Sequence, residues 1–215
     1  MNLWFVFAVK EEASCFRRLT RDLPGVKILV SGVGRANASR CIHQALIKEN
    51  SPDFLASCGF AGGLNPSHPV GQILYSADPH SVWEKRLSTS EGLPATFHQS
   101  DQILTTSLEK KKLFHATGLD AVEMESTEVR AICRQRKIPS ATIRVISDTS
   151  NMDLPLDFNR YYDNEFRFNI GSLISDILLS PTLWLPMLKF NKDIRSASQT
   201  LGNLLFQILS NQESP

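Results

Sequence analysis

Cysteine is scarce in this sequence, and so are long apolar runs. The four cysteines among 215 residues form no C-x-x-C pair and have no histidine at metal-binding spacing, which predicts reduced thiols in or near the core and no metal site. No stretch approaches the roughly 20 apolar residues that span a bilayer. The apolar start at residues 1–9 lacks a basic n-region and ends at Lys10, which favours a first strand over a signal peptide. These features predict a cytoplasmic protein.

An excess of charge of either sign is also missing. Lysine and arginine number 23 against 22 acidic residues, and the formal net charge is +1, so no global field indicates nucleic acid as a partner. The hydrophobic share of 42% and the chain length fit one domain with a sizeable core.

Apolar runs alternate with helical patterns, which is typical of an α/β sheet. The patterns predict strands at 3–9, 26–31, 54–58, 73–77, 119–122 and 141–147, and helices at 35–50, 107–116 and 125–136. Residues 79–96 show no clear period and contain turn signals, so we expect a loop there. The predicted fold is a single α/β domain whose twisted, mixed central β-sheet is flanked by helices.

Acidic residues stand at the ends of three of these strands. Glu123 and Glu125 follow the strand at 119–122, and Asp148 follows the strand at 141–147. Glu11 and Glu12 come after the first strand, where a solvated charged turn is the plainer interpretation. In open α/β sheets ligands bind at the carboxyl ends of strands. A carboxylic acid on each side of a scissile bond is what glycoside-type hydrolysis requires, so Glu12 and Asp148 are candidates for that chemistry.

Two glycine-rich segments also follow strands. Residues 31–37 contain Gly32, Gly34 and Arg35 before a helix, a pattern that could receive an anion on backbone N–H groups or be a turn without a ligand. Asn37 stands where a dinucleotide motif has its third glycine, which counts against an NAD-linked oxidoreductase. The second segment, 58–64, includes Gly59, and the two together predict a broad ligand cleft. Arg144 shares a strand face with Asp148 and could orient a site carboxylate or form a structural pair.

Five blocks in this order, 11–12, 31–34, 58–64, 122–126 and 144–148, resemble the superfamily of purine nucleoside phosphorylases and methylthioadenosine/adenosylhomocysteine nucleosidases. The resemblance covers residues 1–178 and leaves 179–215 as an amphipathic helical extension of the same domain. The short middle region, Leu104-Thr105-Thr106 and the tail are most similar to the hopanoid-associated phosphorylase branch.

The resemblance implies cleavage of the N-glycosidic bond of a purine nucleoside, with adenine the expected base and an adenosylhopane-like 5′ substituent as one candidate. Asp148 would hydrogen-bond the purine and help to protonate it, and Glu12 would activate water. The implied substrate-binding residues are Val122, Glu123, Met124, Glu125, Ser147 and Phe60. Gly34, Arg35 and Gly59 would lie near the nucleophile, which is water or phosphate.

Phe60 departs from the family pattern, because many members have a serine there that could hold phosphate. Glu12 favours water as the nucleophile and Arg35 favours phosphate, so hydrolysis and phosphorolysis both stay open. A nucleoside-binding module without turnover is the alternative from another class. The resemblance implies no metal or organic cofactor, with phosphate a possible co-substrate, and a homo-oligomer with a dimer as the first expectation. The basic, amphipathic tail at 181–209 could dock on the sheet, on a partner subunit or on a membrane.

Overall fold

The computed structural model of the protein describes residues 1–163 and 168–210. Residues 164–167 of the predicted nucleosidase-like region and 211–215 of the predicted extension lie outside the described residues. The strands are β1 Leu3–Phe7, β2 Val26–Val30, β3 Phe54–Gly63, β4 Ile73–Ala77, β5 Leu93–Pro94, β6 Phe97–Gln99, β7 Ala121–Glu123 and β8 Ser140–Asp148. The helices are α1 Lys10–Leu19, α2 Arg35–Lys48, α3 Val82–Ser88, α4 Ser107–Thr117, α5 Ser126–Arg136, α6 Ile170–Leu179 and α7 Trp184–Ser210.

The eight strands form one mixed sheet. The order is β2-β1-β3-β8-β4-β5, and β7 pairs with β3 on one side and β6 on the other. Strands β1, β2, β3 and β8 are parallel, whereas β4 is antiparallel to β8 and β7 is antiparallel to β3. The expectation of a single α/β domain with a mixed central sheet is confirmed.

Helices cover both faces of the sheet, and β1 shows why. Leu3, Phe5 and Phe7 enter one apolar cluster with residues of α1, α3 and α7, while Trp4 and Val6 enter a second cluster with residues of α2 and α5. A strand that is buried on both faces has a continuous apolar sequence, which is what residues 3–7 show.

Two expectations about local structure were wrong, and one helix was not predicted. Residues 79–96 are not a loop, because they contain α3 and β5; Ser81 caps α3, and Trp83 stacks on Phe54 with ring centroids 3.9 Å apart. Residues 59–63 continue β3 and do not form a glycine loop, since β3 pairs with β8 along most of its length. Residues 10–19 form α1, a helix that the sequence analysis did not predict.

The last helix belongs to the same core as the sheet. Ala197, Leu201, Leu205 and Ile208 are buried in the cluster that contains Phe5 and Phe16. The N-terminal part of α7 is different, because Trp184, Leu185 and Leu188 are exposed. Among the described residues no single helix has the length and hydropathy of a membrane span, and one bent pair, Gly171–Leu179 with Pro181–Ser210, meets that test only when its two parts are combined across a 103° bend.

Candidate active site

Glu12 lies in the first turn of α1, directly after β1, and is 6% exposed. Its carboxylate accepts hydrogen bonds from the backbone N–H groups of Ala8 at 2.9 Å, Val9 at 3.1 Å and Phe60 at 2.8 Å. Burial raises the pKa of Glu12 above its usual value although these N–H groups and Arg144 act against the rise. A glutamate fixed in this way and made more basic by burial can accept a proton from water.

Gly59 provides the space for that carboxylate. Its φ is +152°, and a Cβ at this position would stand 2.5 Å from Glu12 Oε1. Gly59, which is expected near the nucleophile, is in the structure the residue against which Glu12 packs. Glu11, the neighbouring acid, is exposed.

A second group of charges surrounds Arg144, which is 1% exposed on β8. Its Nη2 donates to Glu123 Oε2 at 2.6 Å, Ser57 Oγ at 3.0 Å and Glu125 Oε2 at 3.5 Å. Arg144 could orient a site carboxylate or form a structural pair, and these contacts fit the orientation of Glu123 and Glu125. Asp148 is not one of its partners. One cation therefore faces two carboxylates that are both buried.

The two glutamates beside Arg144 differ in what they can still bind. Glu123 accepts from the backbone N–H groups of Glu125 and Ser126 and from Ser126 Oγ in addition to Arg144. Burial opposes its ionisation, but Arg144 and these hydrogen bonds prevail and hold the pKa of Glu123 below its usual value. Both oxygens of Glu123 thus already accept hydrogen bonds, so this residue is better suited to hold its neighbours in place than to contact a substrate.

Glu125 has fewer donors. Among the described residues, its Oε1 accepts from the Gly34 backbone N–H at 2.9 Å, and its Oε2 has only the long contact to Arg144. Burial raises the pKa of Glu125 to about 7; Arg144 acts against the rise, and the charges of Glu123 and Glu12 add to it. A carboxylate with unfilled acceptor positions in a buried site can accept hydrogen bonds from hydroxyl groups of a ligand.

Asp148 ends β8 and is 6% exposed. Its Oδ1 accepts from Ser147 Oγ at 2.6 Å, and its Oδ2 forms an ion pair with Lys110 Nζ. Gly62 separates Asp148 from Val122, because the register places Gly62 opposite both residues. A Cβ on Gly62 would lie 3.2 Å from Val122 Cγ1 and 3.4 Å from Asp148 Oδ2, so glycine permits this close approach.

The residues expected around the nucleophile do not gather at one point. The Gly34 backbone N–H is used by Glu125, and Arg35 pairs at 3.2 Å with Asp101 at the surface. Phe60 donates its backbone N–H to Glu12, and its side chain packs on the core. Met124, which stands between Glu123 and Glu125 in the sequence, is partly exposed. Strand β1 lies between β2 and β3, so the two glycine segments are not neighbours in the sheet.

Sequence reasoning missed two residues of this region. Lys110 lies in the predicted helix at 107–116 but carries no signal of its own, and its burial depends on the contact of α4 with Asp148 at the end of β8. Tyr162 lies near the carboxylates: burial, followed by the charges of Glu12 and Glu125, raises the pKa of Tyr162 to about 12. No local pattern marks either residue. Within residues 1–163 and 168–210 no group of three or more His, Cys, Asp or Glu is arranged to hold a metal ion.

Comparisons with known proteins show which family and which folds this chain is similar to. The profile of the Phosphorylase superfamily matches residues 89–177. A 5′-methylthioadenosine/S-adenosylhomocysteine nucleosidase of Bacillus velezensis is 24% identical over 76% of this chain and 92% of its own length. The nucleosidase of the same name from Shewanella loihica is 27% identical over 65% of this chain and 76% of its own length.

Solved structures share the fold. Futalosine hydrolase of Helicobacter pylori superposes with a TM-score of 0.69 at 15% identity, over 97% of both chains. The 5′-methylthioadenosine/S-adenosyl homocysteine nucleosidase of Helicobacter pylori, in complex with an inhibitor, gives a TM-score of 0.68 at 14% identity, again over 97% of both chains. The profile match and the relatives show similarity to the phosphorylase superfamily, and the solved structures show a shared fold.

Proposed function

We propose that this protein is an enzyme that cleaves the N-glycosidic bond of a purine nucleoside and releases the free base, with adenine as the expected base. One observation carries the proposal: Glu12, Glu125 and Asp148 are all buried, and each carboxylate has a different set of partners. Carboxyl groups held in different environments are how enzymes divide the work of glycosidic cleavage. The similarity to nucleosidases supports the same chemistry.

The three carboxylates then have separate roles. Glu125 accepts hydrogen bonds from the ribose hydroxyls, with Glu123 and Arg144 as its support. Asp148 faces the base and takes part in its protonation, which makes the base a better leaving group. Glu12 removes a proton from the attacking water, for which the raised pKa of its carboxyl is suited.

Water is the nucleophile that we favour over phosphate. The backbone N–H groups around Glu12 donate to its carboxylate, and the Gly34 N–H donates to Glu125. A phosphate would need donors of this kind for itself and would meet two carboxylates beside them, which repel it. Arg35, the cation expected to attract phosphate, is exposed and paired with Asp101.

A base-release assay tests the reaction. Adenosine, methylthioadenosine and a 5′-alkylated adenosine are each incubated with the full-length protein, with and without inorganic phosphate. We expect adenine to appear at a rate that phosphate does not change, and Asp148→Asn to slow its release by about 10²- to 10⁴-fold. A rate that rises with phosphate would make the protein a phosphorylase. Binding of a nucleoside without release of any base would instead support the alternative, a binding module.

An exposed face of α6 and α7 supports a proposal about the substrate. This apolar–basic face consists of exposed apolar residues followed by exposed basic ones: Ile174, Leu178, Leu179, Trp184, Leu185, Leu188, Lys189, Lys192 and Arg195. On α7 its members fall within an arc of about 140° at 100° per residue, and no acidic residue lies inside that arc. Apolar and basic side chains on one helix face suit the interface of an anionic membrane.

The apolar–basic face is connected to the candidate active site. Phe158 stacks on Phe190 of α7 with ring centroids 5.4 Å apart, and Tyr161 Oη donates to Asp176 of α6 at 2.7 Å. Tyr162, which follows, is the tyrosine whose titration responds to Glu12 and Glu125. We therefore propose peripheral membrane contact by residues 181–209 and a substrate with a long apolar 5′ substituent, adenosylhopane-like as one candidate.

Vesicle co-sedimentation tests the membrane contact. Truncation of the tail is unsuitable because Leu201 and Leu205 belong to the core. We expect the intact protein to pellet with vesicles that contain phosphatidylglycerol and the double variant Leu185→Gln/Leu188→Gln to stay in solution. Ile47→Gln, which changes a residue that is 83% exposed on α2, is the matched control and should pellet like the wild type.

An equal pelleted fraction for wild type and the double variant would contradict the membrane contact.

The resemblance also leads us to propose a homo-oligomer, with a dimer as the first expectation. Light scattering coupled to size-exclusion chromatography measures its mass, and a stable monomer would contradict that proposal.

A further inference from the structure

Lys110 is fully buried on a helix whose neighbouring lysines are in solvent. Lys111 and Lys112 are exposed, whereas Lys110 has 0% exposure. Lysine is almost never fully buried unless it is paired. The partner of Lys110 is Asp148, the carboxylate to which we assign the base.

All three N–H donors of the Lys110 ammonium have acceptors. Besides Asp148 Oδ2, these are the backbone carbonyl oxygens of Met152 at 2.8 Å and Thr149 at 3.2 Å. The other carboxylate oxygen of Asp148 accepts from Ser147 Oγ at 2.6 Å. An ammonium and a serine hydroxyl that both donate to Asp148 fit an ionised carboxylate.

This arrangement conflicts with a simple general acid. A general acid must carry the proton that it delivers, and resting Asp148 carries none in this hydrogen-bond pattern. Of its two side-chain donors, Ser147 and Lys110, only Lys110 is a cation. The ammonium is held against the carboxylate, so a proton can pass from Lys110 Nζ to Asp148 as the base departs.

We infer that Lys110 is a positioning residue that stores, in its ammonium group, the proton that Asp148 passes to the departing base. The inference rests on the proposed function. As the N-glycosidic bond breaks, its electron pair goes to the base. One proton moves from Lys110 Nζ to the Asp148 carboxylate, and Asp148 gives a proton to a ring nitrogen of the base.

The products of this step are a neutral base, an uncharged Lys110 amine and an ionised Asp148. Attack of water on the sugar releases a proton to Glu12 and then to solvent, and Lys110 takes up a proton from solvent before the next turnover. Lys110 itself touches neither substrate nor the reacting atoms, and its effect passes through Asp148.

The test compares kcat as a function of pH in the wild type, Lys110→Met, Lys110→Arg and Lys111→Met. We expect wild-type kcat to fall at alkaline pH, because Lys110 then has no proton to pass on. Lys110→Met should lose about 100-fold in kcat, show no further fall at alkaline pH and change KM little. Arginine keeps the positive charge but effectively never releases a proton, so Lys110→Arg should remain as slow as Lys110→Met. The exposed control Lys111→Met should match the wild type.

A double variant guards against a trivial loss of folding. Lys110→Met leaves Asp148 buried without its cation, which costs stability, whereas Lys110→Met/Asp148→Asn buries two neutral groups. We expect the double variant to unfold at a temperature close to that of the wild type and to be no slower than Asp148→Asn alone, because both residues act on one step.

Several results would overturn the inference. They are an unchanged pH profile in Lys110→Met, recovery of activity in Lys110→Arg, or a double variant whose losses multiply. Each of these leaves base release by the wild type intact and so leaves the proposed function standing. A wild type that releases no base from any nucleoside overturns the proposed function and this inference with it.

Discussion

Glu125→Gln should stabilise the protein at alkaline pH while it impairs nucleoside cleavage. The reason is the burial of the Glu125 carboxylate, which raises its pKa from 4.5 to about 7. A carboxyl whose pKa is higher in the folded state than in the unfolded state favours folding most below the unfolded value. Its contribution is lost as pH rises through the folded value.

The size of the effect follows from the shift. At 1.36 kcal/mol per pKa unit, a rise from 4.5 to about 7 costs about 3 kcal/mol of stability once the pH exceeds 7. Glutamine carries no charge and avoids this cost, and its amide oxygen can still accept from the Gly34 N–H. The variant loses part of the attraction to Arg144, so we expect a net gain of about 1–3 kcal/mol at pH 8.

Urea denaturation at pH 5 and pH 8 measures this difference. From pH 5 to pH 8 the free energy of unfolding of Glu125→Gln should rise relative to that of the wild type, because only the wild type has a buried carboxyl at this position that ionises. Glu91→Gln, which changes an exposed glutamate, should show no such trend. A Glu125→Gln protein that gains no stability relative to wild type between pH 5 and pH 8 would refute the reasoning.

Three further predictions concern single residues. Glu12→Gln should lower kcat for base release by about 10²- to 10⁴-fold and leave the Kd for a substrate analogue within a few-fold in calorimetry; an equal loss of binding would contradict a general base. Gly59→Ala should also lower kcat, since its Cβ would stand 2.5 Å from Glu12 Oε1, whereas Gly118→Ala, with nothing within 4 Å, should retain wild-type kcat. Trp83→Ala should cost about 3–5 kcal/mol in urea denaturation, because Trp83 is 4% exposed and stacked on Phe54; a cost under 1 kcal/mol would contradict its place in the core.

Most of the sheet could be predicted because its strands carry their signal locally. The strand at Ile73–Ala77 has the predicted bounds, and β1 and β8 differ from prediction by at most two residues at either end. The errors fall where the signal is not local. Helix α3 is seven residues long and depends on Trp83 reaching Phe54, and β3 continues through its glycines because β8 lies alongside.

The candidate site divides in the same way. Strand ends, where ligands bind in α/β sheets, draw attention to Asp148 and to the pairs Glu11/Glu12 and Glu123/Glu125. The family resemblance then selects Glu12 for water and Glu125 for the sugar hydroxyls. The partners of these carboxylates could not be chosen in this way. Arg144 was open to two interpretations, and so was the segment 31–37, an anion site or a turn without a ligand; in the structure the Gly34 N–H donates to Glu125.

Most strands of the sheet, the three candidate carboxylates and the resemblance to nucleosidases can be recognised in the sequence alone. Two features become visible only in the folded protein. Among the described residues, Glu123 has donors at both oxygens and Glu125 does not, and of the three neighbouring lysines it is Lys110 that is buried against Asp148. The physical reason is that strand and helix patterns depend on neighbouring residues. Burial and charge pairing, by contrast, depend on segments such as α4 and β8, which meet only after the chain has folded.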